Sequence, residues 1–415
     1  MNNQNPYDVL IIGGGPAGMI AAIKAGEGGL KTIVLEKKSH PCIKLSITGK
    51  GKCNFTNSAD IKEFVKVFRN GEFLYKSLFS FSNSDLISFF ENLNVPCILE
   101  RGGRYFPASS KATDIVNALI KQTKKFSKII SSFNVASITK TNDLFRVFDD
   151  RQKEMSAKNI IIATGGISYP NTGSTGDGYI FAQSFGHTIK PPTPALVPII
   201  LDSKHLKTLN GLKLKNIEVS LYVQKEILAK EFGDMEFSID GATGPTILTI
   251  SALVGENAGR DMQLSINLKP ALTRPQLEQR LLRELEKFGK YQLKEMLKEL
   301  LPLGLIKPFI NIANLQMTKP CSQITKDERE KILSSLFSLK FKVSGVKNIK
   351  EAIVTRGGVC VDEIYQNTMQ SKLVKGLYFC GEVIDIDAPT GGFNLQAAFS
   401  TGFLAGISVA NCNQE

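Results

Sequence analysis

Apolar residues in this chain come in short blocks that run into glycine. Tyr7 to Ile12 is a continuous apolar run, which predicts a strand buried on both faces. Gly18 to Ala25 has small and apolar residues at helical spacing, and Lys31 to Leu35 is a second strand-like run. Together they predict a β-α-β unit. Asn159 to Ala163 and Leu377 to Cys380 repeat the pattern, ending at Gly165-Gly166 and at Gly381. Doubly wound sheets bind ligands at the carboxyl ends of such strands.

The middle of the chain follows a different pattern. Pro191, Pro192, Pro194 and Pro198 interrupt it and mark a boundary. Glu218 to Leu228 and Phe237 to Ser251 are rich in β-branched residues and predict a β-rich section. Leu277, Leu281, Leu285, Leu293, Leu297 and Leu301 recur at helical spacing, and Lys326 to Leu339 reads as a further helix. The expected fold class is α/β: a discontinuous Rossmann-type domain of residues 1–190 and 346–415, interrupted by an insert of residues 191–345 with a β-rich and a helical section.

Charge sharpens this division. The 415 residues carry a formal net charge of +12. Between Lys269 and Lys350, seventeen Lys and Arg stand against eight Asp and Glu, an excess of nine. That excess fits either a solvated helical surface or an electrostatic footprint for RNA. The seven cysteines include no C-x-x-C pair, and an odd number does not make a disulfide framework. A reducing compartment, the cytoplasm, is therefore expected. The N-terminus has no basic signal region, and no stretch reads as a membrane span. No His/Cys/carboxylate group has metal-ligand spacing, so no metal is expected.

Chemistry enters with Gly13-Gly14-Gly15-Pro16-Ala17-Gly18, a G-x-G-x-x-G motif between a strand and a helix. In such a turn Gly13 permits the sharp bend, Gly15 lets the backbone approach a pyrophosphate, and Gly18 lets helix pack on strand. Glu36 ends the next strand, with Lys37 beside it, where a carboxylate accepts from ribose hydroxyls. This favours FAD or NAD over NADP. The returning segments Thr164-Gly165-Gly166 and Gly381-Glu382 to Asp385 resemble those of two-dinucleotide-binding flavoproteins, which implies FAD, and Gly392-Phe393-Asn394 opens a final helix whose N-terminus suits a reduced flavin. No second complete G-x-G-x-x-G exists, so NAD(P)H would dock briefly as electron donor.

Four further segments carry a resemblance. They are Lys44 to Asn57, Gly103 to Pro107, Ser168 to Gly178 and Thr355 to Val359. With the glycine motif and the Gly381 to Ala398 block, they resemble the BaiN/aminoacetone-oxidase-like family of bacterial FAD-dependent oxidoreductases over nearly the whole chain. The resemblance implies that Lys44, Gly51, Cys53 and Asn54 line the cofactor site. It also implies several chemistries: reduction of a uridine in 23S ribosomal RNA to dihydrouridine, aminoacetone oxidation, or enone reduction. A flavin-bound RNA-binding or assembly factor without turnover is a further alternative.

The chain departs from the family pattern in two places. Lys52 stands where the family has Arg, and Ile239 stands where it has His. Cys53 reads either as a small packing residue or as a thiol whose pKa the neighbouring lysines lower. Cys53 and Asn394 are the candidate catalytic residues. His187, after Gly186, reads as a packing or capping residue.

Overall fold

The computed structural model describes residues 6–412. They form two compact units: residues up to Thr193 together with those from Ile353 on, and Pro194–Ala352.

The first unit is built on β1 (Tyr7–Ile12), which lies between β2 (Thr32–Leu35) and β6 (Glu154–Ile162). β3 (Ser127–Ile130) extends the sheet beyond β2, and β5 (Leu144–Asp149) and β4 (Val135–Thr141) extend it beyond β6. β1, β2, β3 and β6 are parallel, whereas β4 and β5 form an antiparallel hairpin leading into β6. Val9, Leu10 and Ile11 have no exposed surface, as expected where helices cover both faces. α1 (Pro16–Glu27) joins β1 to β2, α2 (Ala112–Phe126) precedes β3, and α3 (Asp177–Ser184) follows β6.

The second unit is a closed antiparallel barrel. Its strands are β7 (Ile199–Asp202), β8 (Lys213–Val223), β9 (Glu226–Ser238), β10 (Gly241–Thr243), β11 (Met262–Asn267) and β12 (Leu339–Val346), in the order β7-β10-β9-β8-β11-β12. Alternation fills the inside with Val219, Leu221, Leu264, Ile266, Phe341 and Val343, all buried. Two expectations need correction. The β-rich reading of Phe237 to Ser251 fails after β10, where Pro245 starts the helix α4 (Pro245–Glu256). That helix is buried on most sides, so its residues show no amphipathic period. The leucine-spaced segment is not one helix either: α5 (Arg274–Lys287) ends near Gly289, and a short turn at Leu293–Met296 follows. α6 (Lys326–Phe337) then leads into β12.

The chain returns to the first unit with β13 (Leu377–Phe379), parallel to β6, and α7 (Phe393–Cys412). α7 is long and apolar enough to pass for a membrane span, but 67% of its apolar window is buried. It crosses α1 at its glycines: a Cβ on Gly402 would lie 2.2 Å from the Ala17 carbonyl oxygen.

β13 is anchored by a buried imidazole. His187 Nε2 lies 2.7 Å from Ser371 Oγ, and Nδ1 lies 3.0 Å from Glu363 Oε2. Ser371 Oγ already accepts the Leu373 and Val374 amides at 3.0 and 2.9 Å. Its own hydrogen therefore goes to Nε2, which leaves His187 neutral with its proton on Nδ1 facing Glu363. Burial lowers the His187 pKa, with the Glu363 carboxylate partly opposing it. The unfolded chain, with imidazole near its ordinary value of about 6.5, takes up that proton first. This contribution to stability is thus complete above the unfolded value and declines as pH falls through it toward the folded value. Thermal melts from pH 7.5 down to 5.5 should show a steeper loss for wild type than for His187→Gln; parallel profiles would contradict the assignment.

Candidate functional site

The glycine turn after β1 is a contact of backbone with backbone. A Cβ on Gly18 would lie 2.0 Å from the Gly13 carbonyl oxygen, so only glycine lets α1 approach this closely. Gly15 is different: a Cβ there would meet nothing within 4 Å. Gly15 is the N-cap of α1, no side chain caps that helix end, and Pro16 occupies its first turn. The uncapped amides and the helix dipole form a site for an anion beside open space.

Glu36 closes the turn from the side. It is 8% exposed; Oε2 accepts the Gly14 amide at 2.9 Å and Oε1 accepts the Lys38 amide at 2.8 Å. Each oxygen keeps a second lone pair for a ribose hydroxyl. Burial raises the Glu36 pKa, opposed by those two amides.

The fold brings the distant motifs to this point. The Ala163 carbonyl oxygen lies 2.4 Å from where a Gly13 Cβ would be, and a Gly381 Cβ would lie 2.9 Å from the Ala17 Cβ. A Gly392 Cβ would lie 2.3 Å from the Thr56 carbonyl oxygen and 2.9 Å from Asn54 Oδ1. Thr164, Gly165 and Gly166 continue from β6, with Gly166 packed on Thr355. Lys44 Nζ bonds Glu382 Oε2 at 2.6 Å and Ser168 Oγ at 2.7 Å, while Glu382 Oε1 accepts the Thr355 amide at 2.8 Å. Lys37 ties down the loop after Gly173 through Asp177 and Thr175.

Sequence reasoning assigned no role to Ser168, Thr355 or Thr401. Thr401 Oγ1 accepts the Gly381 amide at 2.9 Å. The first two lie inside quoted motifs, but their pairing with Glu382 is a long-range contact that spacing does not reveal.

Cys53 and Asn394 are committed to contacts that the sequence did not suggest. Cys53 has no exposed surface, and burial pushes its thiol up to about 12. It adopts a left-handed backbone at φ 61° that turns Sγ inward, while Lys50 and Lys52 point to solvent and do not activate it. It is therefore a packing residue. Asn394 uses its amide to bracket Ala388, accepting the amide at 3.0 Å and donating to the carbonyl at 2.8 Å, so it shapes the loop before α7. Asp385, by contrast, is 2% exposed: Asn70 Nδ2 lies 3.2 Å from its Oδ2, and its Oδ1, 3.5 Å from Arg69 Nη1, is buried without a hydrogen-bond partner.

An adenine dinucleotide fits this arrangement. The space beyond Gly15 admits a pyrophosphate, Glu36 keeps acceptor sites for ribose, and Asn54 Oδ1 and Thr164 Oγ1 are buried without a hydrogen-bond partner.

Residues 7–408 match the family model described as HI0933-like protein Rossmann domain. A 3-dehydro-bile acid delta(4,6)-reductase from Clostridium scindens is 28% identical over 405 residues, covering 96% of this chain and 98% of that protein. A ribosomal RNA dihydrouridine synthase from Escherichia coli is 28% identical over 400 residues, covering 96% of each. Among solved structures, a 3-ketosteroid delta1-dehydrogenase from Sterolibacterium denitrificans superposes with a TM-score of 0.55 at 13% identity, covering 99% of this chain and all of that one.

The open Gly15 and the close-packed Gly18 separate folding from binding. Gly15→Val adds a side chain in open space on an extended backbone (φ −78°). It should melt like the flavin-free wild type yet retain no FAD; an FAD-loaded Gly15→Val protein would remove the turn from the site. Gly18→Ala should instead be recovered unfolded or in low yield. A second test addresses Glu36: a hydrogen bond to a charged group is worth roughly 1.5–3 kcal/mol, so Glu36→Ala should weaken FAD binding by about tenfold or more. An unchanged dissociation constant by fluorescence titration would exclude it as the ribose acceptor.

Proposed function

The chain belongs to the HI0933-like family and is an FAD-dependent oxidoreductase; from that premise we propose that it reduces a uridine of large-subunit ribosomal RNA to dihydrouridine, with NAD(P)H as reductant. The observation that carries this reading is the cation excess between Lys269 and Lys350. Five of the seventeen Lys and Arg there are in ion pairs: Arg274, Lys287, Lys298, Lys319 and Lys347. The other twelve form no ion pair within 4 Å among the described residues, and such cations favour a polyanion. The Escherichia coli relative, a ribosomal RNA dihydrouridine synthase similar over 96% of this chain, supports an RNA substrate.

Bound FAD supplies the two-electron chemistry. The residues of the chain do the rest: the first turn of α1 would hold pyrophosphate charge, Glu36 would hold ribose, and the Lys44–Glu382–Thr355 network fixes the segment after β13. The start of α7 favours negative charge beside Gly392. The proton that completes reduction does not come from Cys53, whose thiol is buried and neutral. Nor does it come from position 239, where Ile239 cannot ionise and is 62% exposed.

One finding favours a second reading. The bile-acid reductase matches this chain at the same identity and coverage as the RNA enzyme, which keeps a small-molecule enone as an alternative substrate.

Mass-spectrometric mapping of ribosomal RNA from a deletion strain distinguishes the two. The account expects the loss of a dihydrouridine from the large-subunit RNA, restored by the wild-type gene and not by Gly15→Val. An unchanged modification map, with purified protein that reduces free enones, would establish the second reading.

A further inference from the structure

The outer face of the barrel carries a surface that the charge count alone does not reveal. Positions alternating with the buried Val219, Leu264 and Phe341 point away from the barrel core. The strand registers arrange them in a grid. One row runs Lys340 on β12, Ser265 on β11, Ser220 on β8 and Lys230 on β9. The next row runs Lys342, Gln263, Tyr222 and Ile227 on the same four strands.

The middle of the first row is low. Ser265 and Ser220 are 5% and 7% exposed, and Ser265 Oγ pairs with Ser338 Oγ at 2.8 Å. The sides are high and cationic. Lys340 and Lys342 are exposed and in no ion pair among the described residues, while Lys230 makes a loose 3.8 Å contact with Glu218. A strand spacing of ~4.8 Å places the Cα atoms of Lys340 and Lys230 roughly 14 Å apart across a serine floor. Tyr222 stands on the floor strand, and Phe232, 65% exposed, stands opposite Glu218 at the far edge. Two carboxylates border this surface: Glu218, already facing Lys230, and Asp202, in register with Lys342.

We propose that this trough on β12, β11, β8 and β9 is a docking surface for single-stranded RNA, a proposal that rests on the ribosomal RNA reading above. Paired lysine walls suit a phosphate backbone. The small serines keep the floor low between the lysines, and the part-exposed Gln263 amide suits sugar and base edges. The exposed Phe232, with the half-buried Tyr222, offers bases a stacking face, which only unpaired nucleotides can use. An acidic peptide would use the lysines but not the aromatics.

The test is fluorescence anisotropy of full-length protein with a labelled, unstructured uridine-rich RNA over a range of salt. Wild type should bind. Losing two phosphate contacts in Lys340→Glu/Lys342→Glu should reduce the salt slope by about 1.4, from roughly 0.7 per contact on single strands. Lys340→Gln/Lys342→Gln should show a similar loss of slope without reversing the charge. Phe232→Ala should weaken binding roughly five- to a hundredfold, the range for one lost stacking contact. FAD content and melting temperature of each variant check the fold. If wild type binds and all variants bind equally well, the surface is overturned while the RNA reading stands. If wild type does not bind but the deletion strain still loses a dihydrouridine, again only the surface fails. If neither binding nor the modification is seen, both fail. Equal competition by polyglutamate would show charge attraction alone and overturn the proposal.

Discussion

The first unit depends on one steric constraint: the amide backbone at Gly18 must lie against the carbonyl of Gly13. That contact sets the angle at which α1 leaves β1, and with it the position of the uncapped helix end. The contact then propagates outward. Ala17 on the same turn receives Gly381 from the strand after the insert and the carbonyl-to-glycine crossing of α7. Two segments from the far end of the chain, at Gly381 and Gly402, thus meet the N-terminal helix on one turn. Each meeting point has a small residue because the backbones leave no volume for a larger one.

Charge is arranged around this steric frame. Glu36 is buried, which raises its pKa, but two backbone amides hold its oxygens in place and leave lone pairs facing the turn. Lys44 and Glu382 pair across the other side of the site, with Ser168 and Thr355 completing the hydrogen bonds. The site therefore places an uncapped helix end next to a buried carboxylate with free lone pairs, and the Lys44–Glu382 network closes its other side.

Much of this was legible in the sequence. The glycine spacing, the strand runs ending in glycine and the carboxylate at Glu36 follow from local backbone geometry, and local geometry leaves a sequence signature. The same holds for the proline-rich start of the insert. What was not legible depends on tertiary contacts. Lys50 and Lys52 flank Cys53 in sequence, but a left-handed backbone turns the sulfur inward and the lysines outward. Asn394 occupies a motif position, yet its amide is used by the loop at Ala388. α4 resembled a strand because a helix buried on most sides loses the amphipathic period that identifies helices. The barrel trough is invisible in sequence because its rows join four strands drawn from 120 residues of chain.

The central claim is that the glycine turn, the end of α1 and Glu36 hold the adenosine-diphosphate half of FAD. Titrating flavin-free protein with FAD and with FMN, by quenching of flavin fluorescence, tests it directly. FMN has the flavin and one phosphate but no adenosine, so the account predicts stoichiometric FAD binding and FMN binding weaker by orders of magnitude. Equal affinity for the two would mean that the adenosine half makes no contact here, and would contradict the account.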